Sequence, residues 1–198
     1  MDMARDTLAE VSDEALLVLY ANGDPAAARA LTLRLTPRVL GYATRLLSDR
    51  AEAEDVTQEA MLRLWRVAPA WRQGEAQVTT WLYRVVTNLC TDRLRGRVRR
   101  RADALDDAPE VADGAAGAEA GLIEADRMAA LQTALDALPD RQRQAVILRH
   151  IEGLTNPEIA AVMDIGVEAV ESLTARGKRS LAAILSGRRE ELGYGEGD

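Results

Sequence analysis

The stretch Trp81–Arg101, WLYRVVTNLCTDRLRGRVRRR, decides how the rest of the chain is read. Leu82, Val85, Val86 and Leu89 recur at helical spacing and form an apolar stripe. Arg84, Asn88, Thr91, Asp92 and Arg95 fall on the other face. From Arg84 onward, seven arginines stand against one acid, Asp92. Such an excess is the electrostatic footprint of a surface that touches phosphates. A solvated helix end explains it as well, because arginines favour the negative end of the helix dipole. Charge alone leaves both readings open.

The chain of 198 residues suits one large domain or two small ones. Aromatic residues are few and Phe is absent, so aliphatic and alanine-based helix packing is expected. No apolar run is long enough to cross a bilayer, and the start of the chain shows no signal-peptide pattern. A single cysteine, Cys90, allows no internal disulfide and fits a reducing cytoplasm. The net charge of −7 argues against a nucleic-acid binder until its distribution is read. Eight acids and no Lys or Arg lie between Ala102 and Asp126. Setting that segment aside leaves 25 basic residues facing 24 acids. The acidity belongs to a linker, although a chain of this balance binds DNA weakly on its own.

Punctuation then marks out helices. Ser12 is placed to cap a first helix through Leu16, Leu17 and Tyr20, closed by Asn22-Gly23. Asp24-Pro25 opens the next, and Thr36-Pro37 repeats that device to open a third through Val39, Leu40, Ala43, Leu46 and Leu47. Ser48-Asp49 opens a longer helix that runs to about Val67, before Pro69. Its buried side is Ala53, Val56, Ala60, Leu64 and Val67. Asp55, Gln58, Glu59 and Arg66 sit together on another side, which by itself reads more readily as a solvated charged face than as a binding surface. A loop carrying Trp71 follows, and Thr79 or Thr80 can cap the Trp81 helix.

Residues 102–121, rich in Ala, Asp and Gly, read as a disordered linker between two domains. Beyond it Met128, Leu131, Leu135 and Leu138 form a helix stripe. Asp140 is placed to cap a helix through Ala145, Ile147, Leu148 and Ile151, closed by Gly153. Thr155 and Glu158 form a capping box. A short helix, the tight turn Asp164-Ile165-Gly166 and a longer helix from Val167 make a helix-turn-helix pattern. The exposed residues of that last helix include Glu168, Glu171, Ser172, Ala175, Arg176, Lys178 and Arg179. Nothing in the pattern asks for strands. The expected fold is all-α: a domain over residues 1–101, the linker, a helix-turn-helix domain over 122–187 and a loose tail over 188–198.

Catalytic chemistry is hard to build from this inventory. The one histidine, His150, sits inside an amphipathic helix rather than beside a nucleophile. One Cys and one His do not make a structural zinc site. No phosphate-cradling glycine loop is present. A binding protein is expected, not an enzyme, with no metal and no cofactor.

Three stretches together resemble the sigma-70-type transcription initiation factors of bacteria, in the short extracytoplasmic-function (ECF) group that keeps only regions 2 and 4. They are Ala51–Trp65, Trp81 through Asn88 and Asp92 to the arginines, and Leu138-Pro139 through Leu148–Thr155 to Glu158-Ile159-Ala160. The resemblance spans nearly the whole chain outside the linker and tail. It implies that Asp55, Gln58, Glu59 and Arg63 dock on the clamp of the polymerase core enzyme's largest subunit, and that the flap is a further contact. It implies that Trp71, Arg84, Asn88, Arg95, Arg97 and Arg99 serve the −10 element of promoter DNA and its melted strand. Stacking and hydrogen bonds would hold an extruded base while arginines hold the backbone. Trp65 and Trp81 are expected to pack in the core instead. The linker would thread through polymerase channels near the RNA path. The −35 element would be read by Glu168, Glu171, Ser172, Arg176, Lys178 and Arg179. An anti-sigma partner is implied too.

The recognition helix departs from the family pattern. Glu171 stands where many relatives carry a basic residue, and Leu173 and Thr174 stand where Arg and Leu are common. A carboxylate can accept from a cytosine amino group but repels phosphates. The alternative to a sigma factor is a two-domain helix-turn-helix regulator acting without the polymerase core. Such a regulator needs no acidic helix followed by an arginine-rich one.

Overall fold

The computed structural model describes residues 8, 10–72, 74, 77–103 and 119–186, and all regular structure among them is helical. Most of the linker, residues 104–118, and the tail from 187 onward lie outside the described residues, so the expectations made for them do too.

Helix α1, Asp13–Ala21, begins where Ser12 accepts the Ala15 N–H at 3.2 Å. It ends before Gly23, whose φ of +93° is the left-handed conformation that glycine adopts without strain. Helix α2, Pro25–Leu47, opens on Asp24, which accepts from Ala26 at 2.8 Å. It does not stop at Thr36. Thr36-Pro37, expected from the sequence to open a third helix, does not, because α2 runs straight through Pro37. The buried stripe Leu31, Leu35, Val39, Tyr42, Ala43, Leu46 and Leu47 is continuous across the proline. Pro37 lies on the exposed side, where water can serve the carbonyl that loses its donor. An interior proline costs about 3 kcal/mol; burial of the stripe, at roughly 1.5–3 kcal/mol per large aliphatic side chain, outweighs it.

Ser48 takes a left-handed conformation, and Asp49 then caps helix α3, Arg50–Val67, through the Glu52 N–H. A single 3-10 turn over Ala68–Ala70 follows. Helix α4, Val78–Asp103, starts earlier than the threonines suggested. Its first N–H, on Val78, is taken by the Glu14 carboxylate of α1 at 3.1 Å, and Thr79 and Thr80 lie inside the first turn.

Helix α5 spans Glu119–Asp136 and so begins within the stretch assigned to the linker. Met128 is 47% exposed despite its place in the expected stripe, and Ala130, Ala134 and Leu135 are the buried positions. Helix α6, Asp140–His150, has Pro139 at its cap with no side-chain hydrogen bond. Asp140 therefore does not cap; it accepts from Arg143 at 2.8 Å. Proline at that place has no N–H to satisfy and a preset φ. Gly153 at φ +75° allows the turn into α7, Asn156–Met163, whose capping box between Thr155 and Glu158 is formed. Asp164 at φ +54° makes the tight turn, and α8 runs from Val167 to Ser186. Gly177 on α8 lets that helix lie directly on α6: a Cβ there would stand 2.5 Å from Val146 Cγ2.

Buried residues of α1 to α4 and of α5 to α8 belong to one hydrophobic cluster. The two halves touch. Helix α7 lies along α4, and α6 reaches α2.

Candidate functional site

The residues singled out on α4 follow from helix geometry. At about 100° per residue, Arg84, Asn88, Arg95 and Arg99 fall within an arc of about 60°. All four are exposed. Leu82, Tyr83, Val86, Thr87 and Cys90 face inward. The buried face thus includes two polar residues, and each has a partner. Tyr42 and Thr87 share a hydrogen bond of 2.8 Å between their hydroxyls, and Thr87 also donates to the Tyr83 carbonyl. Burial raises the Tyr42 phenol well above its ordinary value.

Arg97 is placed apart from the other arginines. Its guanidinium donates to the Leu47 carbonyl at 2.8 Å and pairs with Glu52 at 3.0 Å and Asp49 at 3.3 Å. It joins α4 to the α2–α3 corner and closes the exposed carbonyl end of α2. The structure does not bring it to the face of Arg84, Asn88, Arg95 and Arg99. Trp71 stands edge-on to Trp81 at 6.0 Å between ring centroids, and its indole N–H is buried without a hydrogen-bond partner among the described residues. Trp65 packs against Tyr20 at 4.7 Å. Trp65, Trp71 and Trp81 are half-buried, not enclosed.

On α3, Asp55, Gln58 and Glu59 lie on one side, with Arg63 at its margin in an ion pair of 2.9 Å to Glu59. Arg93 of α4 stands 3.7 Å from Asp55. Reading the sequence for charge missed an apolar component. Leu62 is 43% exposed among these polar residues, and beside it runs a shallow groove of 340 Å³ bordered by Leu40, Gln58, Met61, Leu62 and Trp65. The signal was available in the spacing of Leu62, four positions after Gln58 and seven after Asp55.

On α8, Glu168, Glu171, Ser172, Arg176, Lys178 and Arg179 are all exposed, opposite the inward Val170 and Gly177. Asn156 donates to Glu171 at 3.5 Å, and Arg176 to Ser172 at 2.7 Å. The two carboxylates occupy the first turns and the cations the middle. His150 lies within reach of this charge: desolvation first, then Lys178 and Arg149, lower its pKa, so it is neutral at physiological pH. No group of three or more acidic, His or Cys side chains suited to a metal ion occurs among the described residues.

Residues 31–100 match the family Sigma-70 region 2, and residues 128–181 match Sigma-70, region 4. The chain is 36% identical over 191 residues to the ECF RNA polymerase sigma factor SigE of Mycolicibacterium smegmatis, covering 92% of this chain and 72% of that one. It is 36% identical over 177 residues to the ECF sigma factor SigM of Mycobacterium tuberculosis, covering 89% and 86%. The chain belongs to the ECF sigma factors of the sigma-70 family. Its fold is also that of two solved structures. One is RpoE of Bartonella quintana, solved with the anti-sigma factor NepR, at a TM-score of 0.66 and 23% identity over 78% of this chain and 94% of that one. Another is CnrH, solved with the cytosolic domain of CnrY, at 0.65 and 24% over 88% and 97%. In this sigma factor, region 2 carries the α3 and α4 faces and region 4 carries the helix-turn-helix. No helix among the described residues is long and apolar enough to cross a membrane.

Proposed function

We propose that this ECF sigma factor binds the core enzyme of bacterial RNA polymerase through α3, presents the Arg84–Asn88–Arg95–Arg99 face of α4 to the −10 element, and reads the −35 element with α8. Its place of work is the cytoplasm. The observation that carries the reading is the division of labour between α3 and α4. Asp55, Gln58, Glu59 and Leu62 form a mixed acidic and apolar surface suited to a protein partner. The arginine and asparagine face of α4 suits a polynucleotide, because guanidinium groups hold phosphates and an amide can read a base edge. The chain needs no catalytic group, since the polymerase makes the bonds. Arg97 leaves the set of DNA contacts, and Trp71 contributes by shaping the loop before α4.

Regulation by an anti-sigma protein follows from the same reading. RpoE of Bartonella quintana was solved with such a partner, the anti-sigma factor NepR. A partner covering α3 and α8 would block both proposed surfaces.

Single-round transcription tests the function. Purified protein is mixed with core polymerase on genomic promoter fragments. The expected result is transcripts that depend on the added chain. Transcripts only in the presence of another sigma factor, with duplex DNA shifted by the chain alone, would favour the regulator reading instead. Asp55→Ala with Glu59→Ala should weaken core binding with the fold intact, and unchanged core affinity removes the α3 assignment.

A further inference from the structure

The first two turns of α8 are poorly equipped to grip phosphates. From Val167 to Ala175 the charged residues are Glu168 and Glu171, with no Lys or Arg between them. The cations Arg176, Lys178 and Arg179 follow only afterwards. At about 100° per residue, Glu168, Glu171, Ser172, Ala175 and Arg179 share an arc of about 100°. All five are exposed, opposite the buried Val170 and Gly177. Ser172 is already engaged, because its Oγ accepts from Arg176 at 2.7 Å. The Glu171 carboxylate is held from the neighbouring helix: Asn156, the first residue of α7, donates to its Oε1 at 3.5 Å. Glu168 shares the arc, and the contact from Asn156 is what sets Glu171 apart. One carboxylate oxygen is thereby fixed, and the other can accept a further hydrogen bond.

We propose that Glu171 is the base-reading residue of α8 and takes a cytosine in the −35 element, with Asn156 as the positioning residue that aims it. The inference rests on the reading of α8 as the −35 helix. In a helix-turn-helix the start of the second helix reaches the base edges. A carboxylate only accepts, so guanine O6 and N7 and thymine O4 repel it. Two base groups donate in the major groove, the amino groups of cytosine and adenine. Adenine sets its amino group beside N7, an acceptor that a carboxylate leaves unmet, whereas cytosine presents its donor without such a neighbour on the same base. Cytosine is therefore the base that fits. The negative charge lowers affinity for the DNA backbone. Arg176, Lys178 and Arg179 offset this about one and a half to two turns farther along α8, where phosphates beside the groove come within reach. The helix discriminates with its first turns and grips with its later ones.

The test uses holoenzyme assembled from core polymerase and the full chain. It is incubated with promoter duplexes randomised across the −35 element, and the bound fraction is sequenced. The wild type should enrich cytosine at one position about tenfold over the other bases. Glu171→Gln should move that preference to adenine, whose N6 and N7 an amide matches, and Glu171→Ala should remove it. Preferences at the remaining positions should persist in both variants, which shows that the helix still docks. Both should also bind non-promoter duplex more tightly, because a charge facing the phosphates is gone. A merely structural glutamate would not trade base choice for affinity in this way. Asn156→Ala leaves the cap between Thr155 and Glu158 in place and should lower the cytosine preference at unchanged melting temperature; an unchanged preference removes Asn156 from its role. Cytosine enrichment that survives in both Glu171 variants overturns the proposal, and so does a wild type that favours other bases at every −35 position. A wild type with no preference at any −35 position defeats the reading of α8 itself, and this inference with it.

Discussion

The hydroxyls of Tyr42 and Thr87 meet at 2.8 Å inside region 2, each on a buried residue. The pair ties α2 to α4, the helix that carries the proposed −10 face. Tyr42 also stands edge-on to Tyr83 at 5.3 Å, so the polar link lies inside an aromatic contact. Replacing Tyr42 by Phe keeps the ring and removes the link. Thr87 retains its bond to the Tyr83 carbonyl, so the expected loss is about 1 kcal/mol, the net worth of one hydrogen bond. Urea denaturation should show a lower midpoint at unchanged slope.

Gly177 makes a sharper demand. An added Cβ would lie 2.5 Å from Val146 Cγ2 and 3.2 Å from the Gln142 carbonyl oxygen. The carbonyl belongs to the α6 backbone and cannot rotate away. Gly177→Ala should destabilise region 4 by about 1–3 kcal/mol through overpacking, despite alanine's better helix propensity. A rise in melting temperature would show that α8 slides freely on α6.

Arg97 and its neighbours Arg95 and Arg99 should separate cleanly. Arg97→Ala removes the contacts to Leu47, Asp49 and Glu52 and should lower the melting temperature of region 2. Arg95→Ala and Arg99→Ala touch exposed side chains and should shift stability by no more than about 0.5 kcal/mol. They should instead weaken promoter binding of the polymerase complex and reduce its salt dependence, each by about one phosphate contact.

Cys90 supplies a pH prediction. Burial pushes its thiol from 9.0 up to about 12. The unfolded chain releases this proton near the ordinary value, whereas the folded chain holds it. The stability linked to the protonated thiol is therefore complete below pH 9 and is lost progressively as pH rises toward 12. Cys90→Ser should flatten that part of a stability-versus-pH curve. At neutral pH, maleimide labelling of the native chain should proceed only at the rate of local opening.

Much of this architecture was legible because each signal was local. The cap at Ser12, the box at Thr155 and Glu158, and the left-handed turns at Gly153 and Asp164 depend on residues a few positions apart. The misreadings arose where distant residues intervene. Thr36-Pro37 has the form of a helix start, yet a buried stripe from Leu31 to Leu47 carries the helix through it. Thr79 and Thr80 have the form of caps, yet Glu14 takes the first N–H. Charge placed Arg97 with the other arginines, although its angular position on α4 points it toward Asp49 and Glu52. The faces bearing Asp55, Asn88 and Glu171 were legible as exposed surfaces. The hydrogen bond from Tyr83 to Glu152 was not, since a glutamate in a turn gives no sign of a tyrosine 69 positions earlier.

The bond from Glu14 to Val78 spans 64 positions. Most helices carry their own start signal and can nucleate before the surrounding protein assembles. Here the opening turn of α4 is completed by a different helix, so α4 cannot be fully formed until α1 has come back across the bundle. That couples the assembly of region 2 into a single event dominated by a long-range contact, which slows folding relative to a bundle of self-capped helices. A chain clipped between α1 and α2 would therefore lose order first at Val78, at the entrance to the arginine-bearing helix.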